Sequence, residues 1–588
     1  MKLLAALLFG LTCTIANALS ISVADANGKP LPVAMVSRVP DAPAKVDVSD
    51  DGYAASGKPQ QGSVEVHRFT DTAGTVEISP ADFAWHLIIK KPGFRTLKVE
   101  PSALSKKVIV LERETNPIEL AAQKPSNAWT STIDFGDLNL KKEFLLQCGF
   151  CHQQGSAFLR RERTAEEWRA AIKRMVRYGS RLSSEGQEKI PDLLVAHWKK
   201  INANPNLVPE ATPWPAGLAK ATVRELPIGD SMSQMHDFLF HANGLLYVGD
   251  NLQDRLYEID PRTGKYTIYK VEPMPGDVMG GLLAGRLKDF PKHGVYQGIH
   301  SLAESPKDGH IFITPSHQRR LIEFDPMTKT FKYHVFNSGF YPHTVRFDQK
   351  DRVWFTLALS NQVAMFDRAT NVFTQYDLPF RSFGERVTNA LMPTLFKLMS
   401  WGVPTSNWAS VDHSATGTPL PYGIDVAPDG KVWFTRLYAD DIGVVNPESG
   451  KVTMIPTPFK APRRLRVDRD GNLWIAAFNE SQIARYEPAS GKFTRIDMPV
   501  LPKGSDTAYS LNVDKPRHQV WVNGTNSDSV YRYDIASNTW TFFPMSRRGT
   551  FTRDVEFSPE GKVYLTGASF PSWHIEDTQP TMMELTPQ

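Results

Sequence analysis

The chain has 588 residues, 41% of them hydrophobic and 22% charged, a globular balance that excludes a disordered or fibrous protein. A formal net charge of +4 is too small on this length to mark a nucleic-acid binder. Three cysteines exclude a disulfide-rich scaffold, and the length leaves room for about four domains.

Residues 1–18 read as a secretory signal peptide. Lys2 supplies the positive start, Leu3 to Thr14 the apolar run, and Ala16-Asn17-Ala18 a small-x-small cleavage site. The apolar run is shorter than the ~20 residues that cross a bilayer, which argues against a membrane anchor. Cleavage removes Cys13 and leaves Cys148 and Cys151 as the only mature cysteines. No later stretch holds the roughly 18 uninterrupted apolar residues of a spanning helix. The expectation is a periplasmic or secreted protein without a transmembrane segment in its mature chain.

Residues 19–112 alternate apolar and polar in short runs, such as Ile21-Ser22-Val23, Val64-Glu65-Val66 and Trp85-His86-Leu87-Ile88-Ile89. Asn27-Gly28 and Pro92-Gly93 supply turns between them, the pattern of a small antiparallel β-sandwich. Val23 to Val36, Phe69-Thr70-Asp71 with Gly74, and Lys91-Pro92-Gly93-Phe94 resemble the carboxypeptidase regulatory-like (transthyretin-like) domain. That resemblance implies a binding or spacer module with no chemistry of its own.

A polar, Pro-containing linker is expected over 113–132, followed by a small helical domain over 133–210. There Thr164 and Glu167 form a capping box, Trp168, Ile172 and Met175 share one face, and Gly179 supplies a stop. A second helix is expected over Glu185 to Lys200, kinked or delayed by Pro191. Cys148-Gly149-Phe150-Cys151-His152 is C-x-x-C-H, the attachment pattern of one covalent c-type haem. Two thiols a helical turn apart reach the two vinyl groups, and the adjacent imidazole of His152 becomes the proximal iron ligand. Structural zinc would need ligands that no further mature cysteine supplies. A thioredoxin-type pair lacks both the immediate His and the βαβ context. Met175 is the only methionine between His152 and Ser231, and is the expected second axial ligand. A core role for Met175, with His197 or no protein ligand at the iron, is the alternative. From Cys148 through Trp168 and Met175 to Leu182 the segment resembles short class I cytochrome c domains, which implies electron transfer.

From 215 to 588 the chain repeats a four-strand unit seven times. Its second strands read Leu245-Leu246-Tyr247-Val248, Ile311-Phe312-Ile313-Thr314, Val353-Trp354-Phe355-Thr356 and Val432-Trp433-Phe434-Thr435. Leu473-Trp474-Ile475, Val520-Trp521-Val522 and Val563-Tyr564-Leu565-Thr566 complete the set. Units of this length predict a seven-bladed β-propeller, with the strand from Ala221 to Leu226 completing the last blade. The fold class is therefore multidomain and mainly β: sandwich, small helical domain, propeller. Two insertions, at 273–297 and 379–419, read either as lids or docking surfaces or as extra packed elements.

Aligning the units places His236, His300, His343, Tyr422, Arg463, Tyr509 and Arg553 at one register near the axis, with Arg436 one strand along. Such a polar, basic cup is a natural ligand site, and a carboxylate or phenolate fits it better than a cation. If the histidines titrate near neutrality, binding should strengthen between about pH 7.5 and 6. The repeat Pro421-Tyr422-Gly423-Ile424 with Val432-Trp433-Phe434-Thr435 resembles the virginiamycin B lyase (streptogramin lyase) family. In that family a His of this turn is the base, and two Glu, fourteen residues after and two before, hold magnesium. Here Tyr422 is followed by Arg436, His343 by Leu357 and Arg463 by Ala477; His236 keeps Asp250, but Gln234 precedes it. An arginine where a metal carboxylate belongs makes Mg²⁺ unlikely. The leading reading is an exported monohaem cytochrome that binds a small molecule at its propeller and exchanges electrons with a redox partner protein. A carbon–oxygen lyase with an accessory haem, and a non-catalytic binding scaffold, are the alternatives.

Overall fold

The computed structural model describes residues 18–41, 46–48, 54–56, 61–105, 108–230, 232–284, 294–401, 403 and 418–587. The expected signal segment up to Asn17, with Cys13, lies outside the described residues. The molecule is mainly β. Six sheets are four-stranded antiparallel meanders, the first built from Met235–Phe240, Leu246–Asp250, Arg255–Ile259 and Tyr266–Lys270. The innermost strands of the next five are Ile299–Glu304, Pro342–Phe347, Pro421–Val426, Pro462–Val467 and Ala508–Asp514. A seventh sheet begins at Val555–Phe557 and continues through Val563–Thr566, Thr581–Thr586 and Thr222–Pro227. The innermost strands touch in succession, and Val555–Phe557 returns to Met235–Phe240, so the seven sheets close a ring consistent with propeller blades.

The repeated second-strand sequence has a physical reason. Val353–Leu357 and Val432–Arg436 are buried along their whole length because neighbouring blades cover both faces. Trp354 and Trp474 donate their indole N–H groups to Asp348 and Asp468, at 2.8 and 2.9 Å, fastening each second strand to the turn before it. The terminal threonine joins blades. In the fourth, Thr435 Oγ1 accepts from Gly423 N at 3.0 Å and donates to the Arg463 carbonyl of the fifth at 2.5 Å. Thr356 Oγ1 likewise donates to Tyr422 O at 3.1 Å, and Thr314 Oγ1 to His343 O. One hydroxyl therefore satisfies a donor in its own blade and an acceptor in the next.

The strand from Thr222 closes the ring, as expected, but it does not end the sheet. Its outer edge pairs antiparallel with Glu65–Phe69, and the sheet runs on through Met35–Pro40, Trp85–Lys90 and Leu97–Val99. The N-terminal segment thus extends the seventh blade into an eight-stranded sheet. A second sheet, Thr75–Ile78, Leu19–Asp25 and Val108–Leu111, faces this extension across a core that includes Ile21, Val23, Val36, Trp85, Leu87 and Ile89. Leu19–Asp25 and Val108–Leu111 run parallel, against the all-antiparallel expectation. They are the first and last strands of this region, too distant in the chain to be joined by a hairpin.

The stretch expected to be a linker instead forms two short helices, Pro117–Ala122 and Ser126–Thr130. Ala121, Ala128 and Trp129 are buried in the helical core, and this apolar content outweighs the polar composition around it. The helices Leu138–Cys148, Ala165–Arg177 and Ser184–Ala203 complete that core with Phe144, Trp168, Ile172, Leu194 and Trp198. The capping box at Thr164 and Glu167 forms, and Gly179 follows the helix end at φ +107°. Pro191 lies inside the last helix without delaying its start. The insertion at 379–419 carries a helix, Phe383–Ser400; residues 404–417 lie outside the described residues.

Replacing Thr435 by Val keeps the shape but strands Gly423 N and Arg463 O in the interior. Urea unfolding of T435V should show a loss of about 1–3 kcal/mol; an unchanged midpoint would show that the inter-blade hydroxyl is dispensable.

Candidate functional site

In six blades the pairing of the first two strands slips at one point, between Met235/Phe238, Ile299/Ser301, Pro342/Val345, Pro421/Ile424, Pro462/Leu465 and Ala508/Leu511. Each slip is a bulge, which re-aims side chains. His236, His300, His343, Tyr422, Arg463 and Tyr509 sit in these bulges, and Arg553 occupies the matching place before Val555. Gly423 is required by the geometry: a Cβ there would lie 2.9 Å from Arg464 Cα.

The seven residues form a continuous chain around the axis. Ring centroids of His236 and His300 are 3.8 Å apart, those of His300 and His343 3.9 Å, and those of His343 and Tyr422 4.0 Å. The Arg463 guanidinium then lies 4.7 Å from the Tyr422 ring and 3.5 Å from the Tyr509 ring, and Arg553 donates to Tyr509 Oη at 2.5 Å. Arg436 does not join them. It is buried against Asp441 and the Pro379 carbonyl, a pairing the strand register alone does not reveal.

The mouth is not an open cup, because the C-x-x-C-H loop is docked on it. Arg553 donates to the Phe150 carbonyl at 3.0 Å, and Phe570 N donates to the Cys151 carbonyl at 3.1 Å. Gln153, fully buried, donates to Asp528 Oδ1 at 2.6 Å and to Thr550 O at 2.9 Å. The Phe150 ring covers Arg463, whose guanidinium is enclosed by Phe150, Tyr422, Phe478 and Tyr509. Arg463 is therefore spent on holding the loop, and the expected pair of ligand-facing guanidiniums reduces to Arg553.

Between loop and mouth lies a cavity of about 540 Å³. Its walls include Cys148, Cys151, His152 and Met175 from the helical segment and His236, His300, His343, Tyr422, Tyr509 and Arg553 from the propeller. Phe144, Trp168, Ile172 and Leu194 give it an apolar side, and Met392 and Phe396 of the inserted helix form another wall. This residue set suits a covalent haem: two thiols, an imidazole and a thioether on one largely apolar cavity, with Arg174, Arg181 and Arg553 available to its carboxylates. Burial pushes the Cys148 thiol up to about 12 and His152 down to about 4, so the imidazole is neutral, as a metal ligand must be. His197 is elsewhere: its Nε2 bonds the Trp129 carbonyl at 3.0 Å, away from the cavity, which removes it as the alternative ligand. His574 was missed by sequence reasoning because it lies in the connection between Val563–Thr566 and Thr581–Thr586, outside the repeated strands; its ring stacks on His152 at 4.0 Å and its Nδ1 is 2.8 Å from Ser156 Oγ.

Beneath the ring the axis is crossed by Arg464. Its guanidinium reaches Asp237 at 2.6 Å and Asp554 at 3.3 Å, with no solvent exposure. Burial opposes its charge, but the two carboxylates outweigh burial and hold it protonated. Asp237, despite burial, is held far below the usual carboxylate range by Arg464 and His236.

Burial lowers His236 to about 4 and pushes His300 and His343 well below their ordinary value. The expected strengthening of anion binding between pH 7.5 and 6 is overturned, since all three are already neutral there. The two phenols are split. Burial, only partly offset by Arg463, raises Tyr422; at Tyr509 Arg463 and Arg553 outweigh burial and lower it. His300 lines the cavity, and its buried Nδ1 makes no hydrogen bond among the described residues.

No family model and no curated protein matches the chain. Among solved structures it is similar to a streptogramin B lyase, at 15% identity and TM-score 0.47, over 62% of this chain and 98% of the other. Virginiamycin B lyase from Staphylococcus aureus gives 15% and 0.46, over 62% and 99%. Hydrazine synthase of Kuenenia stuttgartiensis gives 12% and 0.43, over 61% and 98%. At these identities the likeness concerns fold alone.

The neutral histidines set a pH dependence. Unfolded, His236 takes up its proton near pH 6.5; folded, only near 4. Its contribution to stability is therefore complete above about pH 6.5 and is lost as pH falls toward 4, up to roughly 3 kcal/mol. Urea unfolding at pH 7.5, 6 and 5 should show stability falling with acid, less steeply in His236→Gln. Equal slopes would mean that His236 is protonated in the native ring.

Proposed function

We propose that the chain is an exported monohaem c-type protein in which a small molecule, bound at the propeller mouth, exchanges electrons with the haem. The observation that supports this is the shared cavity: Cys148, Cys151, His152 and Met175 line the same space as His236, His300, His343 and Tyr422. Cys148 and Cys151 would hold the group covalently and His152 and Met175 would bind its iron, and the group would supply one-electron chemistry at a potential raised by the thioether. A redox partner protein would supply or remove those electrons.

The propeller residues bind, orient and handle protons. His300 and His343 line the cavity as neutral imidazoles, while Phe144, Trp168 and Phe396 give it apolar walls. Arg463 and Arg553 lower Tyr509 while burial raises Tyr422, so loss of a phenol proton in the ring is easier at Tyr509 than at Tyr422. Only Arg553 lines the cavity among the arginines of the ring, so an anionic substrate competes with the haem carboxylates for it. The lyase alternative loses ground where Arg436, tied to Asp441, holds the place of a metal carboxylate.

Purified protein should carry one haem that acid-acetone does not extract, lost when Cys148 and Cys151 become Ala. Met175→Ala should abolish the weak near-infrared sulfur-to-iron band and lower the potential. A phenol or carboxylate that binds at the mouth should shift the Soret band under anaerobic conditions, with affinity reduced about tenfold in Tyr422→Phe. Extractable haem would sink the proposal. A Soret band indifferent to every ligand that binds would separate the mouth from the haem.

A further inference from the structure

Outside the residues that line the chamber, a second cluster lies where the N-terminal sheet joins the seventh blade. The register of Thr222–Pro227 against Glu65–Phe69 sets Glu225 directly opposite Glu65, with His67 two residues along on the same face. All three are buried: Glu65 at 5%, His67 at 2% and Glu225 at 1% exposure. Like charges facing across a strand pair are unfavourable, and burial makes them more so.

Arg547 neutralises one of the two charges. It donates to Glu65 Oε1 and Oε2 at 2.7 and 2.8 Å and to Glu225 Oε2, which also accepts from Thr581 Oγ1 at 3.1 Å. The other side of the cluster is left open. His67 Nε2 lies 3.7 Å from Glu65 Oε2 and 3.8 Å from Glu225 Oε1. Neither His67 Nε2 nor Glu225 Oε1 has a hydrogen-bond partner among the described residues. His67 Nδ1 is 2.8 Å from Ser37 Oγ; a proton on Nδ1 donated to that oxygen leaves Nε2 as a lone pair. Burial, with Arg547, Lys90 and Arg38 nearby, keeps the ring neutral. A protonated Nε2 would close on a carboxylate to about 2.8 Å; at 3.7 and 3.8 Å the imidazole nitrogen and two carboxylate oxygens face one another without a hydrogen bond.

That spacing is what a small divalent cation needs. An ion about 2.1 Å from each donor holds the donors roughly 3–3.6 Å apart, so His67 Nε2, at 3.7 and 3.8 Å from the two carboxylate oxygens, is within a few tenths of an ångström of that spacing, and all three ligand atoms lie within 4.8 Å of one another. We propose that Glu65 Oε2, His67 Nε2 and Glu225 Oε1 bind one zinc-class divalent ion that fastens the N-terminal sheet to the propeller. Nitrogen with two carboxylate oxygens suits Zn²⁺. Arg547 and Ser37 are the outer partners that orient the ligands. Burial raises Glu225 to about 7, so the ion would displace a proton there; the two carboxylates and one guanidinium then leave one negative unit for it to meet. The ion is structural, and the chamber is not involved.

The test uses full-length protein stripped with a chelator and titrated with Zn²⁺ alone, by calorimetry and by thermal unfolding. One equivalent should bind and raise the unfolding temperature. His67→Gln and Glu225→Gln should each weaken binding at least tenfold and abolish the thermal shift, with unaltered circular dichroism confirming that both fold. Co²⁺ gives a second readout, a visible absorption present in the parent and absent in both variants. Zinc binding unchanged in these variants, or lost only in His300→Gln, would overturn the assignment. So would a parent protein that binds no zinc.

Discussion

One buried guanidinium sets the frame for everything above it. Arg464 comes from the fifth blade and reaches Asp237 of the first and Asp554 beside the seventh, so three blades are tied across the axis by one cation. The charge is removed from water, and only two carboxylates justify its presence; breaking such a set costs about 3–5 kcal/mol because the remaining charges are left unpaired. The ring residues sit one position before this layer in the same bulges. Their mutual spacing, from His236 round to Arg553, follows from a crossing beneath them that cannot drift. Asp237 also serves His236, whose Nδ1 is 3.0 Å from Oδ1, so the crossing and the chamber share a carboxylate.

The chamber in turn is made by two parts that are each incomplete. The propeller offers polar rings and one cation that lines the cavity, Arg553; the helical segment offers thiols, thioether and apolar side chains. Their joint depends on main-chain carbonyls of the C-x-x-C-H loop, held by Arg553 and Phe570 N. Phe150 and Gln153 add side-chain contacts, but neither thiol takes part in the grip, which leaves Cys148 and Cys151 free to be modified.

Much of this was legible in the sequence where a period exists. Seven aligned units put the ring residues at one register, and the same alignment foresaw closure by the strand before the first blade. Contacts without a period left no trace. Nothing in Arg463-Arg464 tells which guanidinium turns to the axis and which is covered by Phe150, because the bulge decides it. The docking of Phe150 joins segments roughly three hundred residues apart. His574 lies outside any repeat. Trp129 sat in a stretch whose polar neighbours suggested a linker. Glu65, His67 and Glu225 belong to separate patterns and meet only through a strand pairing that no turn announces.

The seventh blade carries a consequence for biogenesis. Its outermost strand, Thr222–Pro227, is made before the six complete blades, and its neighbour Thr581–Thr586 after them. The ring therefore stays open until residues 581–586 have been synthesised, while the early strand waits on the N-terminal sheet as a template. A chain truncated anywhere before residue 581 would leave Thr222–Pro227 with the N-terminal sheet as its one strand partner, and six complete blades with no seam to join them.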